Sequence, residues 1–243
     1  MKKQFTMDDV QILHEDNSIL VVNKPQNLPT QADNSGDVDL LTLLKGYVKE
    51  KYNKPGDAYL GLVHRLDRPT GGVMVFAKNS KSAERLSKQI QTGTMEKIYF
   101  ATVLGTPNER NGTWVNYLKK NPLTNVVYVA TYSDEGVKRA ELSYETLESY
   151  HDTVSLVRIK LATGRSHQIR VQFSCRGHAV FGDAKYGGDV LAKGHNLALW
   201  AVQLSFDHPI TKERMVFVSY PPQIEPWKRF NLEKHLDVFK DSE

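Results

Sequence analysis

The sequence is poor in cysteine, and this scarcity narrows its class at once. Its 243 residues include a single cysteine, Cys175. One thiol excludes an intramolecular disulfide and any zinc site that needs several cysteines. A chain without disulfides fits a reducing compartment, and we therefore expect a cytoplasmic protein.

Long apolar runs are also missing. No stretch approaches the about 20 apolar residues that a membrane-spanning helix needs, and the basic residues at the start are not followed by the apolar segment of a secretory signal. The chain has no internal repeat and no low-complexity segment. These absences predict a globular protein with no membrane partner, and nothing in the sequence indicates an obligate protein partner.

Charge of either sign is close to balance, so its distribution is more informative than its sum. The chain carries 32 Lys and Arg against 28 Asp and Glu, a net charge of +4. A patchy basic surface is typical of a nucleic-acid binder, although a charge cluster is more often only a solvated face. The basic residues concentrate in the middle of the chain, at Lys119, Lys120, Lys138, Arg139, Arg165, Arg170 and Arg176.

Hydrophobic periodicity and turn residues predict more strands than helices. Predicted helices span residues 38–52, 80–91 and 167–176. Gly93 and Gly177 stop the second and the third, and Ser166 is the predicted N-cap of the third. Predicted strands span residues 18–22, 73–77, 97–104, 113–117, 126–131, 139–148, 154–161, 197–206 and 215–220.

These elements predict the α+β class. Many neighbouring strands are joined by hairpin-length loops, which favours a largely antiparallel mixed β-sheet flanked by a few helices and loops. The sequence has neither a dinucleotide-binding fingerprint nor a phosphate-loop motif. We expect one catalytic domain over residues 1–243, with a short lead over residues 1–12 and a tail over about residues 223–243.

The segment 64–72, His-Arg-Leu-Asp-Arg-Pro-Thr-Gly-Gly, carries the strongest chemical signal. It places Asp67 between Arg65 and Arg68, and flanking cations stabilise an ionised carboxylate. Such a group suits a nucleophile or a charge-stabilising anion and makes a poor general acid. The alternative is an ordinary surface ion-pair cluster. The two glycines allow another backbone or a ligand to come close.

Segment 163–170, Thr-Gly-Arg-Ser-His-Gln-Ile-Arg, is a second basic cluster. With segment 64–72 and Ala77-Lys78 it resembles the motifs of RluA-type pseudouridine synthases. Four further matches follow the order of that family: Asn23-Lys24-Pro25; Glu-Lys-Ile-Tyr-Phe-Ala at 96–101; residues 177–187; and Leu-Ala-Leu-Trp-Ala at 197–201 with His208-Pro209.

The resemblance covers nearly the whole chain, with three departures. Gly71 stands where many relatives have serine, and Trp200 stands where histidine is common. The chain also begins close to the catalytic domain, so we expect a short form that lacks the small N-terminal RNA-binding domain of many relatives.

The resemblance implies isomerisation of uridine in ribosomal or transfer RNA to pseudouridine, with no metal and no organic cofactor. It implies that Asp67 is the catalytic aspartate, that Arg165 is the arginine that pairs with it, and that Tyr99 lies against the target base. The residues expected to bind RNA are His64, Arg65, Thr70, Lys78, His167 and Arg170.

Several of these roles have alternatives. Asp67 could attack ribose C1′, attack the base or remove a ribose proton. Arg65 could hold the flipped-out state of the RNA by filling space or by contacting phosphate, and Lys78 could anchor phosphate or cover the sheet edge. Tyr99 also fits a core strand residue. The two histidines, His64 and His167, also fit structural hydrogen bonding.

Three other functions remain open at this point. A catalytically silent RNA-binding module would explain the basic motifs but not an acid among them. An N-glycoside hydrolase acting on a nucleoside would also need a carboxylate, and it would release free uracil. A metal hydrolase would draw its ligands from His64, Asp67, His167 and His178.

Overall fold

The computed structural model describes residues 3–188 and 194–236, and it divides into two compact units. Unit 1 comprises Met1–Lys97 and Ala201–Ser219, and unit 2 comprises Ile98–Trp200 and Tyr220–Glu243. The first two residues of the predicted lead and the last seven of the predicted tail lie outside the described residues. The single catalytic domain over residues 1–243 stays a prediction.

Unit 1 is a sheet with two α-helices. Its elements are a 3-10 turn at Met7–Asp9, β1 (Gln11–Glu15), β2 (Ile19–Lys24), α1 (Leu40–Lys51), β3 (Gly61–Leu62), β4 (Gly71–Ala77), α2 (Ser80–Thr92), the part of β10 (Leu199–Asp207) from Ala201 onward, and β11 (Arg214–Val218). The strands run in the order β1–β2–β4–β10, β11 pairs with β10, and β3 pairs with β4. The β1–β2, β2–β4, β3–β4 and β10–β11 pairs are antiparallel.

The centre of unit 1 is apolar on both faces of the sheet. All seven residues of β4 are buried, and five of the six residues of β2 are buried. Consecutive side chains of a strand point to opposite faces, so such continuous apolar runs indicate a strand covered on both sides. The core cluster joins β2 and β4 to α2 through Leu86 and to β10 through Phe206.

Both predicted helices of unit 1 are present: α1 begins two residues after and ends one residue before its predicted bounds, and α2 begins at the predicted Ser80 and ends one residue later. Asp39 caps α1 by accepting the Thr42 backbone N–H at 3.0 Å, and Asn79 caps α2 by accepting the Ser82 N–H at 2.8 Å. The left-handed φ of +75° at Gly93 ends α2. The predicted stop at Gly93 is therefore confirmed.

Within the described residues, unit 2 is an antiparallel sheet of five strands with two short α-helices. Its elements are β5 (Glu96–Leu104, with Ile98 onward in this unit), β6 (Asn111–Asn121), β7 (Val126–Ala130), β8 (Lys138–Tyr150), β9 (Val154–Leu161), α3 (Gln168–Ser174), a 3-10 turn at Trp227–Arg229 and α4 (Leu232–Leu236). The strands run in the order β5–β9–β8–β6–β7. The predicted strand over residues 154–161 is confirmed without change, and the other strands of this sheet are longer or shorter than predicted by a few residues.

The start of α3 differs from the prediction, and Ser166 as its N-cap is wrong. The helix begins at Gln168, its N-cap is His167 at a φ of +51°, and no side chain caps it. The Gln168 side chain instead binds the preceding segment. Its Oε1 accepts the Arg165 backbone N–H at 3.0 Å and the Thr163 hydroxyl at 2.7 Å. This amide folds residues 163–165 back onto the helix.

Part of the predicted tail is packed into unit 2. Trp227, Phe230 and Leu232 are buried, and His235 Nε2 contacts a Glu148 carboxylate oxygen at 2.6 Å. The α+β class and the largely antiparallel sheet are confirmed by these elements and pairings. Among residues 3–188 and 194–236, no helix combines the length and apolar character needed to span a membrane.

Gly72 gives a sharp test of the packing in unit 1. Its φ is +119°, and a Cβ atom there would lie 2.3 Å from the Ala201 carbonyl oxygen. We expect Gly72→Ala to lower the free energy of unfolding by about 3 kcal/mol or more, because backbone strain and overpacking act together. Urea unfolding followed by circular dichroism measures this change.

Gly46→Ala is the matched control. Gly46 lies exposed in α1 with nothing within 4 Å of the added Cβ. Alanine there should raise stability by about 0.5–1 kcal/mol, because glycine costs helices that amount. Similar stabilities for the two variants would contradict the close approach of Gly72 and Ala201.

Candidate active site

Asp67 lies in a four-residue turn that leads into β4. The Thr70 backbone N–H closes this turn by donating to the Asp67 carbonyl at 3.0 Å. Leu66 and Thr70 are buried, and Asp67 itself is only partly exposed. The turn therefore holds the carboxylate between two anchored neighbours. The predicted close backbone approach at the following glycines is confirmed at Gly72.

The segment that follows β2 fixes the main chain on both sides of Asp67. The Thr30 hydroxyl donates to the Leu66 carbonyl at 2.8 Å. The Asn27 backbone N–H donates to the Arg68 carbonyl at 2.8 Å. The Gln26 amide donates to the Pro69 carbonyl at 3.0 Å. Buried carbonyls need such partners, so this segment determines the shape of the turn.

Lys24 was not predicted as a site residue, yet it positions the turn that carries Asp67. Its fully buried ammonium donates to the carbonyls of Pro25, Leu28 and Arg68 at 3.0, 2.7 and 3.1 Å. Burial lowers the pKa of Lys24 to about 7, and the nearby charge of Asp67 acts in the opposite direction. The signal in the sequence was a lysine at the end of a buried strand and before a proline.

Arg68 does not serve Asp67 as the sequence suggested. Its guanidinium donates to Asp37 at 2.6 Å, to Asp33 at 2.8 and 2.9 Å, and to the Ser35 hydroxyl. The Ser35 hydroxyl and the Arg68 charge lower the pKa of Asp33 to about 2. Arg68 therefore clamps the loop over residues 33–37 to the turn, while its carbonyl is held by Lys24.

His64 and Lys78 have structural partners within unit 1. His64 Nε2 accepts the Val75 backbone N–H at 3.1 Å. The Lys78 ammonium contacts Glu15 at 2.8 Å and the Tyr52 hydroxyl at 3.1 Å, and its side chain is buried. Both arrangements favour the structural alternatives for these residues. RNA contact by either one stays a prediction.

Arg65 contrasts with these two residues, which have partners inside the protein. Its side chain is exposed, and no hydrogen bond or ion pair engages it within the described residues. A cation held next to Asp67 without an internal partner can meet phosphate or fill a gap in an RNA helix. This placement is compatible with the role expected for Arg65.

In unit 2, the predicted catalytic residues lie on β5 and directly before α3. Tyr99 is 6% exposed and stands opposite Ile159 of the neighbouring strand. Arg165 is exposed, its backbone N–H binds Gln168, and its Nε donates to the Arg139 carbonyl at 2.8 Å. The Gln168 amide and β8 therefore hold Arg165 in place.

His167 and Arg170 both have hydrogen-bond partners within unit 2. Arg170 forms a two-pronged ion pair with the buried Asp183, with both distances 2.7 Å, and the ring of Tyr186 lies 5.1 Å from the guanidinium carbon. His167 Nδ1 lies 2.7 Å from the Tyr186 hydroxyl. The charge of Arg170 is therefore paired with a buried carboxylate inside the protein. RNA contact by these two residues stays a prediction.

A metal site finds no support in the side-chain arrangement. Within residues 3–188 and 194–236, no group of three or more His, Cys, Asp or Glu side chains is arranged to hold a metal ion. His178 is engaged elsewhere, since its Nδ1 lies 3.0 Å from the Leu104 carbonyl oxygen. The described residues therefore provide no ligand cluster that supports the metal hydrolase alternative.

The chain is similar to proteins of one family. The family profile described as RNA pseudouridylate synthase matches residues 18–175. An uncharacterized RNA pseudouridine synthase of Aquifex aeolicus is 34% identical over 226 residues, which cover 88% of this chain and 70% of that protein. The ribosomal large subunit pseudouridine synthase C of Escherichia coli is 33% identical over 230 residues, covering 88% of this chain and 67% of that protein.

The fold is similar to that of a solved human protein. Human RNA Pseudouridylate Synthase Domain Containing 1 superposes with a TM-score of 0.75 at 23% identity, covering 99% of this chain and 98% of that one. At this identity the likeness shows the fold alone. The α+β architecture is therefore shared with known pseudouridylate synthase domains.

His64 makes the stability of the protein sensitive to acid. Burial lowers its pKa to about 3, whereas an unfolded histidine titrates near about 6.5. Between these values the unfolded chain binds a proton that the native protein does not. Stability should therefore fall as the pH falls from about 6.5 to about 3, by up to about 1.4 kcal/mol per pH unit.

His64→Gln keeps an acceptor for the Val75 N–H but cannot titrate. Its urea-unfolding free energy should lose this pH dependence, while His151→Gln, at an exposed histidine, should behave as the wild type. Parallel acid limbs for wild type and His64→Gln would show that His64 is not buried in its neutral form.

Lys24 predicts a second pH dependence of stability, at neutral to alkaline pH. Its native pKa of about 7 lies below the about 10.4 of an unfolded lysine. Between these values the unfolded chain holds the extra proton, so stability should rise with pH. Relative to Lys24→Met, the wild type should gain up to about 1.4 kcal/mol per pH unit from pH 7 to pH 10.

Urea unfolding at several pH values measures this difference, because other groups titrate alike in both proteins. Lys45→Met removes an exposed lysine of α1 and should shift stability by a constant amount. A constant difference for Lys24→Met as well would mean that the buried lysine keeps its ordinary pKa.

Proposed function

The chain belongs to the RNA pseudouridylate synthase family and is an RNA pseudouridine synthase, and we propose that it isomerises specific uridines of structured RNA with Asp67 as its catalytic aspartate and without a cofactor. One observation carries the choice of Asp67. The main chain on both sides of this carboxylate is fixed by side chains and amides of residues 24–30. A catalytic group needs this kind of preorganisation.

The reaction neither adds nor removes atoms. The bond from N1 of uracil to ribose C1′ breaks, a bond from C5 to C1′ forms, and the proton of C5 leaves while N1 gains one. Breaking the glycosidic bond builds positive charge at C1′. An ionised Asp67 would stabilise that charge or attack the sugar, and an attack on the base and removal of a ribose proton remain open.

The supporting residues are proposed from the resemblance. Tyr99 would lie against the target base and relay its proton, and Arg165 would pair with the catalytic aspartate. Arg65 would hold the flipped-out state of the RNA. The exposed side chains of Arg65 and Arg165 support these roles, as does the anchoring of Arg165 by Gln168.

The RNA is proposed to be ribosomal or transfer RNA in the cytoplasm. The name of the Escherichia coli relative, a ribosomal large subunit pseudouridine synthase, favours ribosomal RNA. A catalytically silent RNA-binding module would bind the same RNA without changing it. An N-glycoside hydrolase would release uracil, whereas isomerisation leaves the mass of the RNA unchanged.

Asp67→Asn tests the catalytic role, because it keeps the shape of the side chain and removes its charge. RNA isolated from cells that lack this gene is the substrate, and sequencing after carbodiimide treatment locates pseudouridine. The wild-type protein should restore the modification at specific positions. Asp67→Asn should bind the same RNA, remain folded and form no detectable pseudouridine.

Asp57→Asn is the matched control, since Asp57 is exposed and lies outside the turn. It should retain wild-type activity. Substantial pseudouridine formation by purified Asp67→Asn would remove Asp67 from the catalytic role. Release of free uracil by the wild type would favour the hydrolase.

A further inference from the structure

The hairpin of β6 and β7 in unit 2 has one packed face and one exposed face. Leu118 and Val127 lie on the packed face, in a cluster with Ala140 of β8 and Val171 of α3. Direct neighbours across an antiparallel pair lie on the same side of the sheet, and adjacent residues of a strand lie on opposite sides. The residues next to this cluster therefore form the opposite face.

That opposite face combines tyrosines with cations. Lys119 stands opposite Tyr128, and Tyr117 stands opposite Arg139 of β8. Tyr132, just beyond β7, places its ring 6.3 Å from the Tyr117 ring. We call these five residues the hairpin face.

Two of the three tyrosines of the hairpin face are open to solvent. Tyr132 is 78% exposed and Tyr128 is 45% exposed. Large aromatic side chains that are exposed to solvent and lie next to one another are typical of a binding surface. Lys119 has no ion-pair or hydrogen-bond partner within the described residues. The carboxylate of Glu141, two residues after Arg139 on β8, is paired with Arg139 at 2.5 Å.

The hairpin face is linked to the segment that carries Arg165. The Arg139 carbonyl accepts Arg165 Nε at 2.8 Å, so β8 connects the exposed tyrosines with the proposed catalytic arginine. Among the strands of the described residues, β7 is the last in the order of unit 2, so none of them continues the sheet beyond it.

We propose that the hairpin face binds unpaired nucleotides of the RNA substrate, with Tyr128 and Tyr132 stacking on bases and Lys119 contacting phosphate. Exposed aromatic rings on an antiparallel sheet stack on splayed bases, and nearby cations follow the backbone. Base-paired RNA hides its base faces and gains little from such rings. The inference rests on the proposed function only in that RNA is the partner.

The test measures binding rather than turnover. The probes are a fluorescein-labelled 12-mer of oligouridylate and a 12-base-pair RNA duplex with the same label, followed by anisotropy. All proteins carry Asp67→Asn, so no isomerisation alters the probe. A loss of catalysis therefore cannot be confused with a loss of this surface, and failure of the proposed function would appear only in the pseudouridine assay.

Combined Tyr128→Ala and Tyr132→Ala should weaken oligouridylate binding at least tenfold and duplex binding less than threefold. The paired Phe substitutions should keep the affinity, because the ring does the stacking. Tyr220→Ala, at a tyrosine of unit 2 that is 46% exposed, is the matched control and should stay within twofold. Lys119→Gln should reduce the salt dependence by about one phosphate contact.

Four results would overturn the proposal. The first is unchanged oligouridylate affinity in the double alanine variant, and the second is no binding of the probe at low salt. The third is an equal loss for the duplex. The fourth is a protein that self-associates at micromolar concentration and dissociates on the same substitutions, which would make the hairpin face a protein interface.

Discussion

The buried ammonium of Lys24 is the contact on which the Asp67 turn depends. It joins the end of β2 to the carbonyls of Pro25, Leu28 and Arg68, so one side chain links the strand, the loop and the turn. Taking an ammonium out of water is costly unless its donors are satisfied. Three carbonyl partners and the charge of Asp67 offset that cost.

This arrangement makes the turn a product of unit 1 as a whole. β2 carries Lys24, and the second residue of β4, Gly72, lies where only a glycine fits against the Ala201 backbone. Lys24 and Gly72 are direct neighbours in the β2–β4 pair. The register of these two strands therefore fixes the distance between the buried ammonium and the turn that precedes β4. A carboxylate held in this way does not need to be ordered by the substrate.

Much of the fold could be predicted from local signals, because those signals act over a few residues. The strand over residues 154–161 and the stop at Gly93 follow from β-branched residues and a left-handed glycine. β1, Gln11–Glu15, was missed because it is a short, only partly buried strand with polar ends. Ser166 failed as a cap because the side chain of Gln168 captures residues 163–165, a contact that propensity does not encode.

The site was less predictable, since a charged residue in a motif does not reveal whether its side chain forms an ion pair within the protein. Arg170 and Lys78 look like RNA ligands in the sequence, yet each is buried against a carboxylate. Arg68 lies next to Asp67 in the chain but binds Asp33 and Asp37, some thirty residues earlier. A buried cation is costly unless hydrogen-bond acceptors or a carboxylate compensate its charge, so the cations that are buried with such partners stabilise the fold. The cations that remain exposed, Arg65 among them, are those that an RNA can reach.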